Sequence, residues 1–261
     1  MRPAIPQVSV IIPAYNEEQR LPKGLQQIFD WLKRRELDAE VIVVDDGSTD
    51  STAAVVTDWS QRFPALRLVS NGQNLGKGES VRRGMLAACG RFALFTDADL
   101  SAPIEEAEKL LAALPRYDIA IGSRSVDRSL IEIHQSRRRE FAGRLFNRLV
   151  RMVTGLPFQD TQCGFKAFAR ERSQIVFEKQ RIKGFGFDPE ILYLARRHSL
   201  RTVEIPVRWA HDAGTRVRIL HDSLRMFRDL LSIRYNCLAG RYRTVTSTVT
   251  CVGAAQSNEK P

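Results

Sequence analysis

Cysteine is scarce and scattered. Cys89, Cys163, Cys237 and Cys251 lie far apart with no CxxC pair, which excludes a zinc ribbon or a disulfide framework and favours a reducing compartment. Only four histidines are present, and His134, His198 and His221 show no ligand spacing. Long apolar runs are lacking as well. The strand-like Val8–Ile12 stops at Pro13, too short for a signal-peptide core or a bilayer span, and the uncharged stretch 244–258 is mostly Thr, Ser and small residues that read as a disordered tail. No GxGxxG follows the first apolar run and no GxxxxGK[ST] occurs anywhere, which argues against a nicotinamide dehydrogenase and a P-loop nucleotidase. No internal repeat or Gly/Ser linker interrupts residues 7–122, and helix-turn-helix, zinc or RNP signatures are absent too.

What is present is a chain of 261 residues, 43% hydrophobic and 27% charged, with ample apolar content for a core; disorder as the overall state is excluded. The formal net charge of +10 favours an anionic partner: nucleic acid, a phosphorylated ligand or an acidic membrane surface. Charge alone does not choose among them.

From residue 7 to 122, short β-branched runs alternate with stretches of helical period, the pattern of βαβ units building a parallel sheet covered by helices. Strands are expected at about 8–13, 40–45, 66–70, 91–96 and 118–122. Leu21, Leu25, Ile28, Phe29 and Leu32 form one apolar helical stripe between the first two. Residues 123–139 lose periodicity and read as a long mobile loop. Beyond it, helices are expected near 140–154 and 219–235, strands near 164–168 and 201–207, and a helix opened by Asp188 as N-cap with Pro189 in its first turn.

In open parallel sheets, ligands bind beyond the carboxyl ends of the strands, and here those ends are rich in carboxylates: Glu17 and Glu18, Asp45 and Asp46, Asp97 and Asp99. Taken singly, each reads as a turn or helix cap. Three acidic strand ends along one rim would repel one another unless they met a cation or a donor-rich ligand such as a base and ribose. Asp97 and Asp99, two residues apart, suit a hard divalent cation such as Mg²⁺ or Mn²⁺. Asn74-Leu75-Gly76-Lys77-Gly78 offers close backbone approach and a lysine at a helix start, suited to a diphosphate.

The ordered series Val10-Ile11-Ile12-Pro13-Ala14-Tyr15-Asn16-Glu17, Val44-Asp45-Asp46-Gly47-Ser48-Thr49-Asp50, Asn74-Leu75-Gly76-Lys77-Gly78 and Asp97-Ala98-Asp99 resembles the inverting glycosyltransferase family 2, which has a GT-A fold. The resemblance continues through Gly122-Ser123-Arg124 and Asp160-Thr161-Gln162-Cys163-Gly164-Phe165-Lys166, over about residues 6–243. Within the family it is most similar to the dolichyl-phosphate β-glucosyltransferases. It implies an α/β fold with a mostly parallel central sheet flanked by helices and with C-terminal amphipathic helices. One domain over 1–243 is expected, its nucleotide-sugar half at about 6–122 and its acceptor half at about 123–243, followed by the tail 244–261.

The resemblance further implies that Pro13, Ala14, Tyr15, Glu17, Asp45 and Asp46 hold the nucleoside, with Lys77 nearby. Asp97, Ala98 and Asp99 would hold ribose and metal, with Asp99 the main ligand. Asp160 corresponds to a catalytic or acceptor-positioning acid, and the stretch 211–217 to a loop closing over the diphosphate, bringing Arg216 to it. Cys163 is read as core. The implied reaction moves glucose from UDP-glucose to a dolichyl or undecaprenyl phosphate. GDP-mannose as donor, or a non-lipid acceptor, are the alternatives; a basic nucleic-acid-binding protein explains the charge but not the carboxylate rim.

A lipid phosphate with a second pKa of about 6 is largely ionised at neutral pH and hardly needs a general base, so Asp160 is expected to orient rather than remove a proton. Arginines are expected to align the two anions. Between Arg124 and Arg151 there are eight, against Asp127, Glu132 and Glu140, a local net of +5 with no lysine. Arg124 and one or more of Arg137, Arg138, Arg139 and Arg144 are candidates for the phosphate clamp. Two basic amphipathic stretches, Phe141, Leu145, Leu149, Val150 and Val153 with their arginines, and Ile219, Leu220, Leu224, Phe227, Leu230 and Leu231 with theirs, suit a membrane interface. Peripheral attachment at the cytoplasmic face of a membrane, or docking on an integral partner, is therefore expected.

Overall fold

The computed structural model describes residues 5–133, 137–210 and 219–243, without the side chains of 137–139, 141–142 and 219–224. The elements run β1 (Val8–Ala14), α1 (Leu21–Arg34), β2 (Ala39–Asp45), α2 (Thr52–Arg62), β3 (Leu66–Ser70), α3 (Lys77–Ala87), β4 (Phe92–Thr96), α4 (Ala107–Ala113) and β5 (Ile119–Ser123). They continue as β6 (Ile131–Ile133), α5 (Arg137–Thr154), β7 (Phe165–Ala169), α6 (Arg170–Lys179), α7 (Phe187–Arg197), β8 (Thr202–Pro206), β9 (Trp209–Ala210) and α8 (Ile219–Leu238).

Seven strands form one sheet in the order β3-β2-β1-β4-β7-β5-β8, so strands of both expected halves share it. Its strands are near-continuous apolar runs because both faces are covered. Val8, Val10 and Ile12 point into one core layer with Leu25, Trp31 and Leu110 of α1 and α4, while Ile11 points into the other with Val81, Phe187 and Ile191 of α3 and α7. The expected strands agree with the observed ones to within two residues.

One strand departs from the parallel pattern. β7 runs antiparallel between β4 and β5, with Thr96 opposite Phe165 and Ile121 opposite Lys166. Its N-terminal end therefore lies beside the C-terminal ends of β4 and β5, which brings the 160–164 segment to the carboxylate-rich rim.

Two expectations need correction. The stretch 123–139 is not one loop: Arg128–Leu130 forms a 3-10 turn, β6 pairs with β9 in a separate two-stranded sheet, and α5 begins at Arg137. Residues 134–136 lie outside the described residues. Asp188 is not an N-cap either. Helix α7 starts at Phe187 with Gly186 as its cap, and Asp188 is buried inside the first turn because it meets Lys166 of β7.

The two basic helices divide their apolar residues between core and surface. Val150, Leu230 and Ile233 are buried, whereas Leu145, Met152, Phe227 and Leu231 are exposed. Phe141, Ile219, Leu220 and Leu224 have undescribed side chains, and the expected tail 244–261 lies outside the described residues.

Candidate active site

The carboxylate rim begins with loops that hold one another in place. Asp45 ends β2 and accepts the Ser48 N–H (3.1 Å). Asp46 ties the second strand end to the third: its carboxylate accepts from Asn71 Nδ2 (2.7 Å) and from the Leu75 and Gly76 N–H groups (both 2.9 Å). Gly76 turns with φ +103°, and a Cβ there would run into the Lys183 carbonyl, so only glycine lets the start of α3 approach that segment. Glu17 is held by Arg20 through two hydrogen bonds of 2.7 and 2.6 Å, and its N–H donates to Thr52 Oγ1. Pro13 and Ala14 close β1 beside Val44 and Asp45, Tyr15 is partly exposed just beyond, and Ala98 is buried.

Lys77, the first residue of α3, reaches the end of β4, with Nζ 2.6 Å from Asp97 Oδ1. Burial weakens an ammonium, but the charges of Asp97, Asp188 and Asp99 outweigh it and hold Lys77 above its usual value. Asp99 lies the other way. Burial first, then repulsion by Asp97, pushes its carboxyl up; Asp97 and Asp99 are two carboxylates against the single Lys77 paired here. That surplus, on two oxygen-donor side chains, fits a divalent cation. Among the described residues no group of three His, Cys, Asp or Glu could hold a metal. The protein thus offers an ion one or two carboxylates, the arrangement that suits a Mg²⁺-like cation completed by phosphate oxygens and water.

A second cluster is built around Asp160, which is 1% exposed. Arg124 grips it with Nε (2.7 Å), Nη2 (2.9 Å) and its own backbone N–H (3.1 Å), and the Gln162 N–H adds a fourth bond. Burial alone would raise this carboxyl, yet the Arg124 charge and hydrogen bonds lower it to about 2. Asp160 is therefore anionic at neutral pH with its lone pairs engaged. Arg124 stays protonated beside it and lies 5.4 Å over the Trp209 ring. A small cleft of about 80 Å³ opens against this pair and is also lined by Arg128, Glu140, Arg144 and Trp209. Arg128 pairs with Glu140 at 2.5 Å, so three arginines against two carboxylates leave one uncompensated positive charge among these lining residues, less than the local +5 suggests.

The two sides meet at Gly164. A Cβ there would overlap both carboxylate oxygens of Asp97, so the Asp97 side chain can hold its present position, paired with Lys77, only beside a glycine. Trp209 lines both the arginine-lined cleft and a smaller crevice containing Asp97, Cys163 and Gly164. Cys163 belongs to the core, as expected, and burial pushes its thiol up to about 12.

Several supporting residues were not anticipated. Glu204 accepts the Gln159 and Asp160 N–H groups, and Asn147 Oδ1 accepts from Thr161, so β8 and α5 both pin the Asp160 loop. Trp209 is held by its neighbours: Arg208 pairs with Glu106 at 2.6 Å and the Ala210 N–H donates to the Ser101 carbonyl. Lys166 is fully buried and donates to Asp188 Oδ1 (2.5 Å) and the Cys163 carbonyl (2.6 Å). A lone lysine inside Phe165-Lys166-Ala167-Phe168-Ala169 was the available sign that a buried carboxylate had to exist; the others carry no sequence signal. Arg216 lies outside the described residues, and Arg137, Arg138 and Arg139 begin α5 with undescribed side chains.

Comparison with known proteins agrees with this arrangement. The family model described as Glycosyl transferase family 2 matches residues 9–177. A Drosophila melanogaster dolichyl-phosphate beta-glucosyltransferase is 37% identical over 251 residues, covering 91% of this chain and 77% of its own. The Homo sapiens protein of that name is 34% identical over 91% of this chain and 78% of its own. Among solved structures, Mycobacterium tuberculosis glucosyl-3-phosphoglycerate synthase with Mn²⁺, UDP and glucosyl-3-phosphoglycerate superimposes with a TM-score of 0.63 at 21% identity, over 87% of this chain and 80% of that one. The mostly parallel sheet flanked by helices is the GT-A fold.

Proposed function

Because the chain belongs to glycosyl transferase family 2, we propose that it transfers glucose from UDP-glucose to a polyprenyl phosphate, with inversion and with a divalent cation. Dolichyl phosphate is the acceptor named in the relatives. The reading rests on one observation: a carboxylate pair bearing surplus negative charge and an arginine-lined cleft meet across Gly164 on one rim. The first suits a cation with a nucleoside diphosphate, the second a phosphate monoester.

Pro13, Ala14, Tyr15, Glu17, Asp45 and Asp46 frame the nucleoside, Asp46 by holding the Asn71–Gly76 loop in shape. Asp99 and Asp97 would hold Mg²⁺ or Mn²⁺, which when bound stabilises the charge that develops on the departing diphosphate. Lys77 adds a fixed cation on the same side.

On the acceptor side no side chain has to take a proton. The phosphate oxygen is ionised already, and Asp160, held to about 2, is a poor base. Its work is to lock the Arg124 fork. Arg124, with Arg144 and the arginines that open α5, draws the acceptor phosphate toward the anomeric carbon and offsets its repulsion by the donor diphosphate. The basic amphipathic helices α5 and α8 support meeting the lipid peripherally, at the cytoplasmic face of a membrane; among the described residues no helix is long and apolar enough to cross a membrane.

Transfer of radiolabelled sugar into an organic-extractable polyprenyl phosphate tests this, with UDP-glucose and GDP-mannose in parallel, with Mn²⁺ or Mg²⁺ and with chelator. Chelator-sensitive labelling from UDP-glucose alone is expected. Labelling only from GDP-mannose would overturn the donor, and labelling of a soluble acceptor alone would overturn the lipid.

A further inference from the structure

A second arginine cluster lies away from the rim. The C-terminal ends of α5, α7 and α8 form an open cavity of about 380 Å³, lined by Arg196, Arg197 and Arg234 together with Met152, Gly155 and Tyr193. Among the described residues, none of these three arginines forms an ion pair with a carboxylate, whereas Arg34, Arg35, Arg62, Arg172 and Arg208 all do. Two are held in place by other groups: Arg196 donates to the Gly155 carbonyl that ends α5, and Arg197 Nη1 lies 2.9 Å from Cys237 Sγ. Three guanidiniums with no carboxylate partner in one concavity, two of them held in place, are suited to an anion with several acceptor oxygens, above all a phosphate.

The rim identifies the source of that phosphate. Met152 is 68% exposed, and on α8 Leu231 (50%) and Leu238 (83%) stand three residues before and four after Arg234, hence on its face of the helix. Phe227 extends this stripe by one more turn, and Tyr235 (59% exposed) stacks under Arg241 at 5.0 Å. A soluble phosphate ester gives no reason for exposed aliphatic side chains at and beside its pocket, Met152 in the lining and Leu231 and Leu238 along the Arg234 face of α8; a phospholipid, with an anionic head and an apolar body, does.

We propose that the α5–α7–α8 cavity is a headgroup site for anionic phospholipid, which seats the apolar stripe of α8 and Met152 in the bilayer surface. The site lies on the same helix as the acceptor cleft. Arg144 and Met152 are eight residues apart on α5, about 12 Å along its axis, so a lipid held at one end presents the other to the interface where a polyprenyl phosphate resides. The inference rests on the lipid-acceptor reading for its purpose, but vesicle binding is read without any transfer, so either can fail alone.

The experiment is co-sedimentation of the full chain with phosphatidylcholine vesicles, with and without phosphatidylglycerol. Binding is expected only with the anionic lipid. The triple variant Arg196→Gln, Arg197→Gln, Arg234→Gln should bind on the order of a hundredfold more weakly, from three basic side chains removed from the surface. Transfer to a short-chain polyprenyl phosphate in detergent should stay unchanged, which also shows that the variant folds. Leu231→Ser with Leu238→Ser, both exposed, should weaken binding with no cost to the core. A control triple, Arg34→Gln, Arg35→Gln, Arg62→Gln, carries the same charge change and should bind as the parent does. Undiminished binding by the cavity triple, or equal loss by the control, would overturn the proposal. Loss of inorganic-phosphate binding in the cavity triple while its vesicle binding equals the parent's would replace the lipid by a soluble phosphate ligand.

Discussion

Replacing Asp160 by Asn keeps the shape of the side chain and removes its charge. In the folded chain the carboxyl is lowered to about 2 from an ordinary 3.8, a gap worth about 2 kcal/mol. Because the folded value is the lower one, this stability is fully present above pH 4 and is lost as the pH falls toward 2. Asp160→Asn should therefore cost about 2 kcal/mol at neutral pH, less than the roughly 3–5 kcal/mol of a fully buried pair because the Arg124 side chain is 27% exposed and can turn toward water. Freed from its fork, Arg124 should lose one well-aligned charge-assisted contact to the acceptor phosphate, about 1.5–3 kcal/mol, or roughly 10- to 100-fold in kcat/KM for the lipid. The KM for the nucleotide sugar should be unchanged. The assay is a pH profile of kcat/KM for the acceptor in both proteins. The parent should show an acidic limb near pH 6, from the second ionisation of the acceptor phosphate, and the variant the same limb at a lower plateau. If the limb disappears in the variant, Asp160 is the titrating base and the positioning role is wrong.

Gly164→Ala should push a methyl group into the Asp97 carboxylate and cost about 1–3 kcal/mol of stability as for an overpacked site, with Mn²⁺-dependent UDP binding weakened in calorimetry while acceptor binding is spared. Lys77→Met removes the cation that Asp97 now pairs with, so metal binding without donor should tighten about tenfold, as expected for loss of a like charge within a few ångströms, while the KM for the nucleotide sugar rises; a Mn²⁺ titration separates the two effects. Lys166→Met strands Asp188 in the core and should lower stability by about 3–5 kcal/mol, whereas Lys166→Met with Asp188→Leu should recover most of it, both read from chemical denaturation.

Much of the architecture was legible because its signals are local. β1, β2 and β4 are apolar runs of strand length that end in Pro, Asp or Asp-Ala-Asp, and the stripe Leu21–Leu32 has helical period, so the sheet, its cover and its carboxylate rim follow from neighbours along the chain. Local signals also misled. Asp188-Pro189 carries the chemistry of a helix start, and nothing nearby shows that Lys166, 22 residues earlier, claims the carboxylate. The stretch after Ser123 has no periodicity, because a strand of three residues such as β6 is specified by its partner β9 and not by its own pattern.

The sequence by itself determined which residues are apolar, acidic or basic at each strand end, and with them the family and the candidate donor residues. Only the tertiary structure decided that β7 runs antiparallel between β4 and β5, which carries Asp160 to the rim beside Asp97. It also decided which charges cancel: Arg124 with Asp160 and Arg128 with Glu140, leaving Arg196, Arg197 and Arg234 without a carboxylate partner among the described residues. The reason is physical. Secondary structure answers to interactions a few residues apart, whereas the state of a charge depends on burial and on whichever opposite charge folding brings within about 4 Å.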